Sequence, residues 1–333
     1  MQAVVYTQLG PPEVLQVREV PIPVPTDKQV LVRVHAASVN ALDYRRFAGM
    51  LKGARVPLMT RLMDGMLLKA VNTVLGADIA GQVEAVGSAV TRFKPGDAVF
   101  GVAAGSKGAF AAYACAAASQ LALKPDNVSF EAAAATPVAA LTALQALRDH
   151  GRVQAGDTVL IQGAGGGVGS FAVQIAKALG AQVTAVCSAR NLDAVRSIGA
   201  DHVIDYTRED FTRGGQRYDV IAAVNGYHPI RAYQRALSSG GRYVALGGDI
   251  PQILQAMLLG PLLSRFGSQT LGFMGIATVT QADLAVLAEL LAAGKLAPVI
   301  DRRYPLSAAA EAVRYLAEGH AQGKVVFNLG GDV

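Results

Sequence analysis

The sequence predicts an α/β protein of two domains, one β-rich and the other built on a doubly wound parallel sheet. Three observations carry that prediction. Residues 157–190, DTVLIQGAGGGVGSFAVQIAKALGAQVTAVCSAR, read as an apolar strand (Thr158 to Gln162), a glycine-dense turn (Gly163 to Gly169), an amphipathic helix (Ser170 to Leu179) and a second apolar strand (Gln182 to Cys187). That is a βαβ unit in about thirty residues. After it, HVIDY, DVIAAV and GRYVALGG recur as short apolar strands between polar or helical connections, as a sheet covered on both faces requires. Before residue 120 the pattern differs: AVVYT, VLQVREV and QVLVRVHAASV carry strand-forming alternation, interrupted by Pro11-Pro12 and by Pro21, Pro23 and Pro25.

Bulk properties fit this division. A length of 333 residues favours two domains, and 52% hydrophobic with 17% charged residues supplies a core and argues against disorder. Two cysteines, Cys115 and Cys187, make neither a disulfide framework nor a four-cysteine zinc lobe and suit a reducing compartment. The start, MQAVVYTQLG, lacks the basic and long apolar regions of a signal peptide, and no apolar run reaches the roughly eighteen residues of a membrane span. A soluble, cytoplasmic protein is therefore expected. The formal charge of +5 is scattered rather than striped, which points to an anionic cofactor and away from nucleic acid.

Taken in order, the first domain continues with strands at Asp78 to Gly87 and Asp97 to Val102, joined through the turn-forming Lys94-Pro95-Gly96-Asp97. Within it, Pro57 to Asn72 (PLMTRLMDGMLLKAVN) carries Leu58, Met59, Leu62, Met66 and Ala70 at helical spacing, so an amphipathic helix is expected there. Glu131 to Gly151 is helical by composition, with Ser129 as N-cap and Gly151 as stop. Pro251 to Gly267 is apolar and methionine-bearing. Gln281 to Gly294 reads as a helix, and the chain closes on AVRYLAEGH and a strand in KVVFNL. The two methionine-bearing stretches are expected to border a substrate cleft or a partner surface, since methionine suits adaptable apolar contacts.

The glycine turn carries chemistry. Glycine at Gly163, Gly166, Gly167 and Gly169 lets the backbone turn sharply, approach a pyrophosphate and seat the helix on the strand. The N–H groups of the following helix then face the phosphates, and Val168, within the turn, joins the glycines as an expected cofactor-binding residue. The spacing is G-x-x-G-x-x-G, with Ala164 where G-x-G-x-x-G has its first glycine. NAD sites place an acid about twenty residues past the glycines to hold the ribose 2′-OH. Here that place, nineteen residues beyond Gly169, is Ser188, and CSARN contains no acid. A carboxylate would repel a 2′-phosphate, whereas Ser188 and Arg190 can hydrogen-bond one, so NADPH is the expected cofactor.

Five segments in order resemble the medium-chain dehydrogenase/reductase superfamily, and within it the zinc-free quinone oxidoreductase (zeta-crystallin-like) branch. They are LGADIAGQVEAVGSAVTRFKPGDAVFG, ATPVAALTALQAL, GDTVLIQGAGGGVGSFAVQIAKALGA, SIGADHVIDY and GKVVFNL. The resemblance implies a GroES-like catalytic domain over 1–122 with 275–333 and a Rossmann NADP-binding domain over 123–274. A homodimer is expected with it. Zinc-dependent relatives carry a cysteine where this chain has Asn40, histidine and glutamate at Ala77 and Asp78, and another ligand near Val138. Asparagine, alanine and valine cannot build that site, so no metal is expected. The resemblance also places Tyr206 at the adenine-phosphate pocket, Asn225, Gly247 and Phe273 on the cofactor side, Thr142 beside the nicotinamide ring, and Asn40 toward substrate. Asp43 and Tyr44 stand nearby in sequence; Tyr44, with Asn40 and Thr142, completes the expected catalytic set. Asn225-Gly226 departs from the usual acid-containing segment. The activity implied is zinc-independent, NADPH-dependent reduction of quinones or activated C=C bonds. Two alternatives stay open: an enoyl-thioester reductase using Lys52, Arg55 and Arg61, and an NADPH-sensing or interaction protein with little turnover.

Overall fold

The computed structural model describes residues 1–8, 10–47, 74–103 and 108–330. The chain forms two compact units, 1–138 with 279–292 and 300–333, and 139–278 with 293–299. The expected helix over Pro57 to Asn72, and with it Lys52, Arg55 and Arg61, lies outside the described residues.

The first unit is organised by Gln29–Val39, an eleven-residue strand whose bounds are those the alternation predicts. Val30, Val32 and Val34 alternate with half-buried Arg33 and His35, so one face of the pleat enters the core. Asp78–Val86 and Tyr113–Ala117 pair antiparallel with it on its longer part, and Lys324–Asn328 pairs antiparallel along its end, Val325 opposite Val39. Ala98–Val102 and Leu121–Leu123 continue the sheet on one side and Ile300–Tyr304 on the other. Phe110 and Phe327 meet edge to face in the core, ring centroids 4.8 Å apart. Ser129 caps the helix Phe130–Ala135 as expected, its Oγ accepting from Ala132 N–H at 3.1 Å.

The single helix expected over Glu131 to Gly151 is instead divided at Thr136, Pro137–Gln145 forming a second helix and Ala146–His150 a wider turn. Pro137 has no N–H to continue the ladder, and the Thr136 hydroxyl turns back to Ala132 O at 2.8 Å.

The second unit holds a six-stranded, wholly parallel sheet. Its spatial order is His202–Asp205, Gln182–Cys187, Thr158–Gln162, Tyr218–Ala223, Leu237–Ala245 and Thr270–Phe273. The chain order therefore reverses direction between Thr158–Gln162 and Tyr218–Ala223, the kind of switch point at which doubly wound sheets leave a crevice. Both strands of the predicted βαβ unit have the expected bounds. Tyr243, on the strand Leu237–Ala245, stacks with Tyr233 of the helix Ile230–Ala236 at 4.3 Å, and the Tyr233 hydroxyl donates to Gln162 Oε1 at 2.6 Å. Burial raises both phenols above their ordinary range.

The methionine-bearing stretch forms the helix Ile250–Phe266. It buries a narrow seam of Gln252, Ala256 and Gly260, spaced by four. Gly260 lies so close to the next strand that a Cβ there would stand 2.5 Å from Leu271 O. Leu254, Met257, Leu258, Leu262 and Phe266 stay exposed. Among the described residues no helix is long and apolar enough to cross a membrane.

Candidate functional site

In the second unit, strand registers place the expected cofactor residues along one edge of the sheet. Val186 pairs with Gln162, Gln162 with Ala223, Ala223 with Ala245, and Ala245 with Phe273. The residues just past this row are Ser188, Gly163, Asn225 and Gly247, and Phe273 closes it. All five thus stand at the carboxyl ends of parallel strands.

The helix expected from Ser170 begins three residues earlier, at Gly167, with Gly166 as N-cap and no side-chain cap. Of the glycines that look like turn residues in sequence, Gly167 and Gly169 lie in its first turn. Its leading N–H groups, those of Gly167, Val168 and Gly169, have no partner inside the helix. A Cβ on Gly169 would fall 2.1 Å from Gly163 O, so only glycine lets helix and strand close together. A Cβ on Gly166, in contrast, would meet nothing nearer among the described residues than Gly163 O at 3.7 Å. Among the described residues its side of the turn is the less crowded one, at a helix N-terminus of the kind that binds phosphate.

Ser188 ends the second strand, half-buried, and Arg190 stands exposed in the one-turn helix Ala189–Asn191. Asn191, absent from the expected set, is 7% exposed and donates through Nδ2 to Ser188 Oγ at 3.3 Å. It also touches the glycine turn, since a Cβ on Gly165 would stand 2.3 Å from its Nδ2. Its Oδ1 is buried with no hydrogen-bond partner among the described residues, an acceptor that a ribose hydroxyl would satisfy. An asparagine after a short turn looks like an ordinary helix cap, so no local signal marks it.

Tyr206 is 63% exposed and tied to the second strand by its N–H to Cys187 O at 3.1 Å. Asp205, on the neighbouring strand, is turned into its own loop by the Thr207 N–H and hydroxyl, which hold its carboxyl below the usual range. Burial first, and then Asp205, push the Cys187 thiol up to about 11. Thr142 lies half-buried on Pro137–Gln145.

In the first unit the chain brings four polar groups together around Asn40. Asp78 Oδ2 accepts from Ser38 Oγ at 2.7 Å and from Asn40 Nδ2 at 2.9 Å, while its Oδ1 accepts from Val138 N–H at 2.9 Å. Lys324 Nζ donates to Asn40 Oδ1 at 2.6 Å and lies 3.4 Å from Asp78 Oδ2. Lys324 is 3% exposed and Asp78 not at all. A lysine only donates, so it fixes which end of the amide is oxygen. Asp43, 2% exposed, accepts the Asn40 N–H at 2.8 Å and so anchors the start of Ala41–Phe47. Tyr44 packs half-buried against the core.

These residues do not fit zinc. The positions that carry cysteine and histidine in zinc-dependent relatives hold an amide and a methyl group, and the carboxylate faces an ammonium. Among the described residues no three histidine, cysteine, aspartate or glutamate side chains gather as a metal site would need.

Comparison with known proteins agrees with both units. Residues 26–126 match the family described as alcohol dehydrogenase GroES-like domain, and residues 198–327 that described as zinc-binding dehydrogenase. The chain is 33% identical to a chloroplastic quinone-oxidoreductase homolog of Spinacia oleracea, over 98% of each protein. It is 34% identical to a chloroplastic NADPH-dependent alkenal/one oxidoreductase of Arabidopsis thaliana, over 98% of this chain and 79% of that protein. The solved structure of the quinone oxidoreductase from Coxiella burnetii superposes with a TM-score of 0.85 at 31% identity, covering 99% of both chains.

Proposed function

Because this chain belongs to the quinone oxidoreductase branch of the medium-chain dehydrogenase/reductase superfamily, we propose that it reduces quinones or the activated C=C bonds of enones and alkenals with NADPH, without zinc. The observation that carries the reading is the polar cluster at Asn40, where an amide and a carboxylate stand at positions that hold ligands in zinc-dependent relatives and a buried ammonium contacts both. NADPH supplies the hydride. The N–H groups of Gly167, Val168 and Gly169 receive the pyrophosphate, Ser188 and Arg190 the 2′-phosphate, and Asn191 Oδ1 a ribose hydroxyl; Tyr206, Asn225, Gly247 and Phe273 border the bound cofactor. As hydride reaches the acceptor, negative charge grows on its carbonyl oxygen, and hydrogen-bond donors there lower the barrier. Asn40 is the first donor we assign, with Thr142 and Tyr44 as further ones. Oxidation of a simple alcohol is the poorer fit, since it takes a proton from an unactivated hydroxyl, a step that zinc promotes in relatives.

The test is NADPH oxidation against quinones, enones, alkenals, an enoyl thioester and, in reverse, simple alcohols, alongside elemental analysis of protein purified without added metal. Turnover of quinone or enone without stoichiometric zinc is expected. Zinc-dependent alcohol oxidation would refute the reading, and NADPH binding with no turnover on any acceptor would favour a sensor. Efficient turnover of the enoyl thioester alone would favour that reductase instead.

The finer placement of the molecule belongs to the same proposal. Cys115 and Cys187, both buried and in no disulfide, support a reducing compartment, for which we propose the cytoplasm; a tagged chain found by microscopy inside an organelle would refute that. A homodimer is supported by the apolar face of Ile250–Phe266 beside the edge strand Thr270–Phe273. Light scattering is expected to give twice the 34.5 kDa chain mass, and Leu258→Glu to shift it toward the monomer. A wild-type monomer at micromolar concentration would rule the dimer out.

A further inference from the structure

We propose that Lys324 is the positioning residue of the hydride-acceptor site: its buried ammonium locks the Asn40 side-chain amide and strengthens the N–H that this amide offers to the acceptor oxygen. The inference rests on Asn40 being the donor, and goes beyond it to what makes that amide a strong one.

Sheet register brings the two residues together. Val325 pairs with Val39 in antiparallel strands, which puts Lys324 across from Asn40 although 284 positions separate them in sequence. The bond from Nζ to Asn40 Oδ1, at 2.6 Å, is short and charge-assisted. It draws electron density toward the amide oxygen and so makes the Nδ2 hydrogens better donors. One of those hydrogens is committed to Asp78 Oδ2 at 2.9 Å. Among the described residues the other meets only Ser38 O, at 3.5 Å, too long for a good bond. Asn40 therefore keeps one polarised N–H in reserve, with its orientation set from both ends.

The surrounding charges support a role beyond stability. Asp78 and Asp43 are the buried carboxylates in contact with this network and Lys324 its buried cation. An ammonium is costly to desolvate, and apolar side chains of similar volume often serve stability as well as a buried ion pair does. Here the ammonium's shorter contact is to the amide and its longer one to the carboxylate, the arrangement expected if orienting Asn40 is its task.

The experiment compares Lys324→Met, Lys324→Arg, the charge-paired double variant Lys324→Met/Asp78→Asn, Asn40→Ala, and Asn40→Ala/Lys324→Met, with one enone and NADPH varied independently. Lys324→Met and the charge-paired variant are expected to lose about 10- to 100-fold in kcat, with the NADPH KM unchanged. Lys324→Arg, which keeps a cationic donor, is expected to recover part of that loss. In Asn40→Ala the added Lys324→Met should cost nothing more, because both act through one amide. Wild-type kcat in the folded Lys324 variants, or losses that multiply in the combined variant, would overturn the proposal. Wild-type kcat in Asn40→Ala would overturn the reading beneath it. Should the variants fail to fold, the unmodified protein gives a second readout: with lysine labelled by 15N and NADP+ bound, adding cyclohex-2-enone is expected to shift one slowly exchanging ammonium signal. No shift in any protected ammonium would equally overturn the proposal.

Discussion

Asn40→Ala is expected to lower turnover with enones and quinones about 100- to 1,000-fold, the typical cost of removing one donor from a developing oxyanion. NADPH affinity should stay unchanged, because Asn40 belongs to the first unit and the glycine turn to the second. The substitution also deprives Lys324 of its 2.6 Å acceptor inside the protein, so some stability is lost with the catalytic donor. Asn40→Asp preserves an acceptor for Lys324 but has no N–H, and it sets a second carboxylate oxygen where Asn40 Nδ2 met Asp78 Oδ2 at 2.9 Å. A similar fall in kcat for both variants is the expected result, with thermal stability lost in each. Unchanged kcat in Asn40→Asp would mean that the amide N–H does not touch the reacting oxygen.

The strands at the centre of each sheet were legible because their causes are local, whereas Tyr113–Ala117, Leu121–Leu123, Thr270–Phe273 and Ile300–Tyr304 were not. Period-two alternation in Gln29–Val39 and predominantly apolar, β-branched runs in Thr158–Gln162 and Gln182–Cys187 mark both existence and bounds. Helix limits were less so. Glycine reads as a stop, yet Gly167 and Gly169 form the first turn of a helix whose closeness to the strand excludes any Cβ. Alanine richness reads as one helix across Thr136-Pro137, where a missing N–H divides it. Asn40 was visible through its position in a motif, but its surroundings were not. Ser38, Asp78, Val138 and Lys324 meet only through sheet register and chain return, which no window of sequence contains. The available hint was one lysine opening the apolar run Val325 to Phe327. Asn191 was hidden in the same way, since its contact with Gly165 depends on how the turn and the second strand end face each other.

Arg190→Ala is expected to weaken NADPH binding about ten-fold and to leave NADH binding unchanged. A hydrogen bond between charged groups contributes about 1.5 to 3 kcal/mol, and each 1.4 kcal/mol is ten-fold in affinity. Arg190 is exposed, so solvent and salt screen it and the lower end of that range applies. The loss should accordingly grow when ionic strength is reduced. Ser188 lies nearer the strand end, held by Asn191 against the glycine turn, and there a charge of the opposite sign acts at shorter range. Ser188→Asp is therefore expected to reverse the preference, repelling the 2′-phosphate while offering a carboxylate to the 2′-OH of NADH. Titration of each cofactor by fluorescence, for wild type and both variants at low and physiological salt, checks the whole argument. Equal affinity of the unmodified protein for NADPH and NADH would show that the end of the second strand does not select the nucleotide.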